Sequence, residues 1–218
     1  MQIIMAEPTE TELSAVDFAY NQIIDLVLTR NLRPGEKTSV YQLVDRLNIG
    51  RTPVREAINR LQSEGFLTVS GRSGTVVKPV DRREAQQLFA LRLNLEQFAA
   101  DGAIQNVTDA HLDALQKSVD RLGSVGTTAD FVRENSVFHA AIVALAENPT
   151  LNRFYAQLQM QLHVVAYLAE RGANPAEAIA RHLEHLDIVS ALRDRDAQAL
   201  KSALSKHVRT TEQAILGR

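Results

Sequence analysis

The chain has 218 residues, 45% hydrophobic, 23% charged and 5% aromatic, with a net charge of −2, a profile that suits a globular protein with material for one or two cores. No apolar run reaches the roughly 18 to 20 residues that cross a bilayer, and the opening MQIIMAEPTETE has no basic stretch followed by an apolar core, so a cytoplasmic location without membrane attachment is expected. The absence of cysteine excludes disulfides, thiolate metal sites and thiol nucleophiles, and leaves histidine and oxygen atoms as the available metal ligands.

Helical spacing of Val16, Ala19, Tyr20, Ile23, Ile24, Val27 and Leu28 predicts a first helix from about Leu13 that stops at Pro34-Gly35. A second, short helix runs from Ser39 as N-cap to Leu47, and Asn48-Ile49-Gly50 breaks it. The third follows at once. Thr52 is its expected N-cap, Pro53 its first helical residue, Val54, Ala57, Ile58 and Leu61 its buried stripe, and Gly65 its end. The pattern then becomes strand-like at Phe66–Val69 and Thr75–Val77, with a Ser70–Gly74 turn between them. Three helices and a two-stranded ribbon make a winged helix-turn-helix. Beyond Lys78-Pro79-Val80 the expected helices are 81–105, 108–122, 128–146, 149–171, 174–194 and 196–216, an antiparallel all-α bundle. The fold class is therefore mainly α, with domains at 1–79, ordered from about residue 12, and 80–218.

Charge follows the same division. Residues 1–29 hold five acids and no base, residues 30–80 hold nine bases against four acids, and residues 81–218 hold 15 bases and 17 acids. A basic block beside a balanced remainder suits a polyanion-binding module attached to a domain with another task. Arg51 and Arg55 are four apart at the start of the third helix, where arginine can bond guanine O6 and N7 in the major groove. Thr52 sits beside them. Arg33, Arg60, Arg72 and Lys78 can neutralise phosphates. The alternative for these arginines is ordinary solvated charge on a short helix.

The segments Arg33-Pro34-Gly35-Glu36, Gln42 to Leu47, Arg51-Thr52-Pro53-Val54-Arg55-Glu56-Ala57-Ile58, Leu61 to Phe66 and the Gly71 to Gly74 turn together resemble the N-terminal winged helix of GntR-type bacterial transcription regulators. The resemblance implies double-stranded operator DNA as partner and a DNA-contacting set of Arg33, Tyr41, Arg51, Thr52, Arg55, Arg60, Arg72 and Gly74. Two positions depart from the pattern. Gly50 stands where a serine usually precedes the arginine, and Tyr41 stands where the second helix usually has an arginine, so two phosphate contacts change and Tyr41 keeps one neutral donor.

In the bundle, Asn135 and His139 are four apart on one helix, and His185 and His207 are 22 apart on later ones, a spacing that suits neighbouring antiparallel helices. Three imidazoles and one amide oxygen form an admissible site for Zn, Ni or Mn, and dispersed surface or core histidines fit the same spacing. His111, His163 and His182 read as structural or solvent-facing, and Phe138 as core.

Leu91 to Glu96, Asn135 to His139 with Asn148-Pro149, and Glu184 to Leu192 ending at His207 are similar to the FCD ligand-binding domain of the FadR subfamily, and the likeness spans about residues 12 to 216. It implies a divalent metal at Asn135, His139, His185 and His207, with Asn135 where an aspartate is frequent. It also implies that Arg92 faces the cavity and binds a small carboxylate effector; Arg92 pairing with Glu96 on the surface is the alternative. A homodimer on a palindromic operator, acting as a repressor, completes the expectation. Two other classes remain open, a metal-dependent hydrolase or lyase and a metal-free bundle that only dimerises a DNA-binding head. The first finds no HExxH, phosphate loop or nucleophile elbow to support it, and no enzymatic activity is expected.

Overall fold

Local chemistry sets the element boundaries in a computed structural model that describes residues 14–29, 31–70, 74–126, 128–169 and 175–217. The chain divides between Lys78 and Pro79 into two compact units.

In the first unit, α1 (Ala15–Leu28) starts where the Ser14 hydroxyl accepts from the Asp17 amide and buries Ala19, Ile23 and Val27. It ends before Pro34-Gly35, earlier than the hydrophobic spacing predicts. The Thr29 hydroxyl donates to the Asp25 carbonyl, and the Leu32 amide donates to the Leu26 carbonyl as the Leu32 side chain turns into the core. Helix α2 (Val40–Leu47) has Ser39 as N-cap and closes on Asn48 in the left-handed conformation, φ 52°, which asparagine tolerates better than most residues. Helix α3 (Arg51–Ser63) buries Val54, Ala57, Ile58 and Leu61 as expected, but its N-cap is Gly50 with no side-chain cap. Thr52 therefore lies inside the first turn. Pro53 sits there as well, where an amide has no intrahelical acceptor in any case.

The ribbon has three strands instead of two. β1 (Lys37–Thr38) precedes α2, and β2 (Leu67–Ser70) and β3 (Gly74–Val77) form the antiparallel hairpin with Leu67 opposite Val77. The order is β1-β3-β2, with Lys37 opposite Val76. A two-residue strand has too little alternation to be read from a pattern.

The second unit consists of α4 (Arg82–Asn106), α5 (Asp109–Ser124), α6 (Thr128–Ala144), α7 (Pro149–Ala169), α8 (Pro175–Arg193) and α9 (Ala197–Leu216). Side-chain oxygens of Asp81, Thr108 and Asp196 cap α4, α5 and α9. Helix α4 packs against α6, α7 and α9, while α8 packs against α5 and α9. Two apolar clusters result, one around Ala100, Phe138, Ile188 and Leu204, the other around Phe89, Val143, Leu158 and Val208. Both draw on α4, α6 and α9. An arginine ties each end of α4: its own Arg82 donates to the carbonyls of Leu216 and Gly217 at the end of α9, and Arg195, from the loop before α9, donates to those of Ile104 and Val107. Among the described residues no helix is long and apolar enough to cross a membrane.

Candidate functional site

Two groups of residues carry chemistry, one in each unit. In the first, Arg51, Thr52 and Arg55 are all exposed at the start of α3. The glycine N-cap offers no side-chain oxygen to the first-turn amides, which together with the positive end of the helix dipole suit an anion. Tyr41, 65% exposed, lies beneath Arg51, whose guanidinium carbon is 4.6 Å from the ring centre. Arg33 is exposed on the turn before β1. Gly74 opens β3 at φ +76°, and a Cβ there would stand 3.0 Å from the Thr38 carbonyl oxygen, so the backbone and not a side-chain contact requires glycine. Arg72 lies outside the described residues. Arg60, further along α3, bonds Asp17 and Glu64, each at 3.0 Å, and covers the Tyr20 ring.

In the second unit the histidines converge. His139 from α6, His185 from α8 and His207 from α9 are each 0% exposed, and one ring nitrogen of each lies within 4.8 Å of the others. The rings of His139 and His207 stack at 4.8 Å, and Phe138 sets its edge against His139 and His185 from the core. Asn135 is half-buried, and its Oδ1 is 2.9 Å from His185 Nε2. All four positions named from the sequence are thus brought together.

Arg92 is buried, not on the surface, yet its partner is the one the surface alternative names. Arg92 Nε donates to Glu96 Oε1 at 2.7 Å, and Glu96 is fully buried. Tyr155 on α7 donates to the same oxygen at 2.5 Å, and His139 Nδ1 lies 3.3 Å from it. On α8, buried Glu184 is 3.2 Å from His207 Nδ1 and accepts from Thr210. Burial alone would raise the Glu96 carboxyl, but the Arg92 charge and His139 hold it well below the usual carboxylate range. Burial and then Arg92 push the His139 imidazole down, with Glu96 opposing. Its Nδ1 is paired with Glu96 Oε1, and its Nε2 makes no hydrogen bond. A buried imidazole whose Nε2 has no hydrogen-bond partner, facing two others, belongs to a donor set that could hold a divalent ion.

The remaining histidines are accounted for differently. His111 completes a capping box with Thr108 at the start of α5. His163 is half-buried against the Ser136 hydroxyl, and burial followed by the Arg92 charge lowers it to about 4. The side chain of His182 lies outside the described residues.

Glu96 was named from the sequence only as a surface partner of Arg92, and Tyr155 and Glu184 were not singled out. The signal for the first was present, since Ala85, Phe89, Arg92, Glu96, Ala99 and Ala103 recur at helical spacing and all are buried. Two charges inside an apolar stripe mark a buried pair. Glu184 likewise shares a face with Ile188 and Leu192.

Comparison with known proteins agrees with this division. Residues 15–77 match the model of bacterial regulatory proteins of the gntR family, and residues 87–210 match the FCD domain. The chain is 26% identical to the HTH-type transcriptional regulator YdhC of Bacillus subtilis over 86% of its length and 85% of that protein. It is 27% identical to the Nta operon transcriptional regulator of Aminobacter aminovorans, covering 88% and 90% of the two chains. The solved structure of Escherichia coli McbR/YncC superposes with a TM-score of 0.74 at 25% identity, over 93% of this chain and 97% of that one. With a winged helix-turn-helix leading into an FCD domain, the chain belongs to the GntR family of bacterial regulators and is a DNA-binding regulator of transcription, not an enzyme.

Proposed function

We propose that this regulator is a ligand-responsive repressor of the FadR subfamily that binds a palindromic operator as a homodimer and senses a small organic acid at a divalent metal. The observation that carries the sensing half is the convergence of three buried imidazoles beside a buried arginine on α4. His139, His185 and His207 would hold the ion, with the Asn135 oxygen at the edge of the set, and Zn, Ni or Mn all accept such donors. A bound ion supplies positive charge and an open coordination position for an oxygen ligand. Asn135 in place of an aspartate removes one negative charge, which weakens ion retention and favours an anion. Arg92 Nη2 is buried without a hydrogen bond, and a carboxylate would satisfy it.

Arg51, Thr52 and Arg55 are the proposed base-reading group, with Tyr41, Arg33 and the wing turn at Arg72 and Gly74 around them. Arg60 is left out of the interface, since its charge is committed within the unit. One such surface reads one half-site, so a palindrome calls for two copies. An open groove lined by Leu91, Leu95, Phe98, Leu151, Phe154 and Leu158 supports a second copy as its cover, because no charged side chain lines it. Signal transfer would run along α4, which follows the first unit in the chain and carries Arg92. Coupling on the order of 1 to 3 kcal/mol changes operator affinity about 5- to 150-fold.

The test is operator binding by fluorescence anisotropy on fragments of the protein's own promoter, with zinc present and a panel of small carboxylates titrated. An acid that binds and releases DNA supports the reading. Acids that bind while operator affinity stays constant overturn the coupling, and the absence of any chelatable ion overturns the metal site.

A further inference from the structure

We propose that Glu96 is a positioning residue for the metal centre: its carboxylate, fixed by Arg92 and Tyr155, sets the ring of His139 so that Nε2 faces the ion. This rests on the metal reading above.

Three donors gather on one oxygen. Arg92 Nε and the Tyr155 hydroxyl bond Glu96 Oε1, and His139 Nδ1 stands 3.3 Å from that same atom. Glu96 Oε2 and Arg92 Nη2, both buried, make no hydrogen bond. A carboxylate serving only as counter-ion to arginine gains most by meeting the guanidinium fork with both oxygens. Here it forgoes the second bond, and the oxygen that does bond is the one next to the imidazole. A full negative charge beside Nδ1 favours the tautomer with its proton on that nitrogen, which leaves the lone pair on Nε2. Ring orientation and tautomer of a metal-binding histidine are commonly set by an oxygen behind it. His207 has the same arrangement, with Glu184 behind its Nδ1.

Removing the Arg92–Glu96 pair as a unit leaves the net charge around the ion unchanged, so any loss of metal affinity in Arg92→Met/Glu96→Met reports positioning. An apolar pair of similar size is also tolerated in interiors better than one orphaned charge. The measurement is Zn²⁺ affinity by chelator competition and the visible absorption spectrum of the Co²⁺ form, with thermal unfolding of the metal-free protein as the fold control. The expected result is a loss of about 10- to 100-fold in Zn²⁺ affinity with an altered Co²⁺ spectrum. Tyr155→Phe, which keeps every charge, shifts both readouts in the same direction by less. A folded double variant with wild-type affinity and spectrum overturns the inference while the metal site stands. If the double variant does not fold, Tyr155→Phe decides, and wild-type values in it overturn the inference. Wild-type protein that binds no Zn²⁺ removes the metal reading and this inference together.

Discussion

Tyr41 and Arg51 come from different helices, yet the guanidinium of Arg51 stacks on the Tyr41 ring at 4.6 Å. An exposed cation–π contact of this kind is worth about 0.5 to 1 kcal/mol, and it holds a flexible side chain ready at the start of α3. Tyr41→Ala is expected to weaken operator binding by roughly two- to five-fold without lowering thermal stability, whereas Tyr41→Phe, which keeps the ring and loses only one neutral donor, weakens it less. Anisotropy titrations at one fixed salt concentration measure both.

Arg55 and Arg60 lie on one helix and are expected to behave oppositely. Arg55 is exposed, and in Arg55→Ala operator affinity falls by about 1 to 3 kcal/mol while the melting temperature is unchanged. Arg60 ties α3 to α1 through Asp17, so Arg60→Ala lowers the melting temperature and leaves the salt dependence of DNA binding nearly intact. Calorimetry and titrations at several salt concentrations separate the two effects.

Loss of one imidazole tests the proposed metal site independently of DNA. His185→Ala is expected to reduce zinc content on purification, and a chelator is expected to lower the melting temperature of the wild-type protein but not of the variant. An ion at 100 times its dissociation constant stabilises the fold by about 2.7 kcal/mol. Metal analysis and thermal unfolding with and without EDTA provide the check.

Acid sensitivity of the metal-free protein follows from His163. Its folded value of about 4 lies below the ordinary 6.5, so between those limits the unfolded chain binds more protons and stability falls as pH falls. Above pH 6.5 the contribution is fully present, and below about 4 it is lost. Its ceiling is about 3 kcal/mol. His139, also lowered by burial, acts in the same sense. His163→Gln is expected to flatten the decline, as measured by urea unfolding across this range in EDTA.

The histidine cluster was legible because the spacing of its members admits one layer and the resemblance to the FCD domain selects them, and the recognition helix because Val54, Ala57, Ile58 and Leu61 repeat clearly. What escaped the sequence was set by contacts rather than period. The early stop of α1 depends on where Leu32 finds its core, and β1 exists only because β3 lies beside it. Arg92 and Glu96 satisfy the rule for an exposed i,i+4 pair equally well on either face of a helix. Their burial depends on α6, α7 and α9 closing over them, and Tyr155 reaches Glu96 from 59 positions away. No spacing rule captures such a partner.

The arginine clips on the two ends of α4 constrain the form a response can take. With its first turn fastened to the tail of α9 and its last carbonyls gripped by Arg195, this rod cannot dissipate a push at its middle by fraying. It must tilt or slide as one piece, carrying α9 along. Amide exchange along α4 should therefore slow or quicken in concert when an effector binds, with no gradient toward either tip.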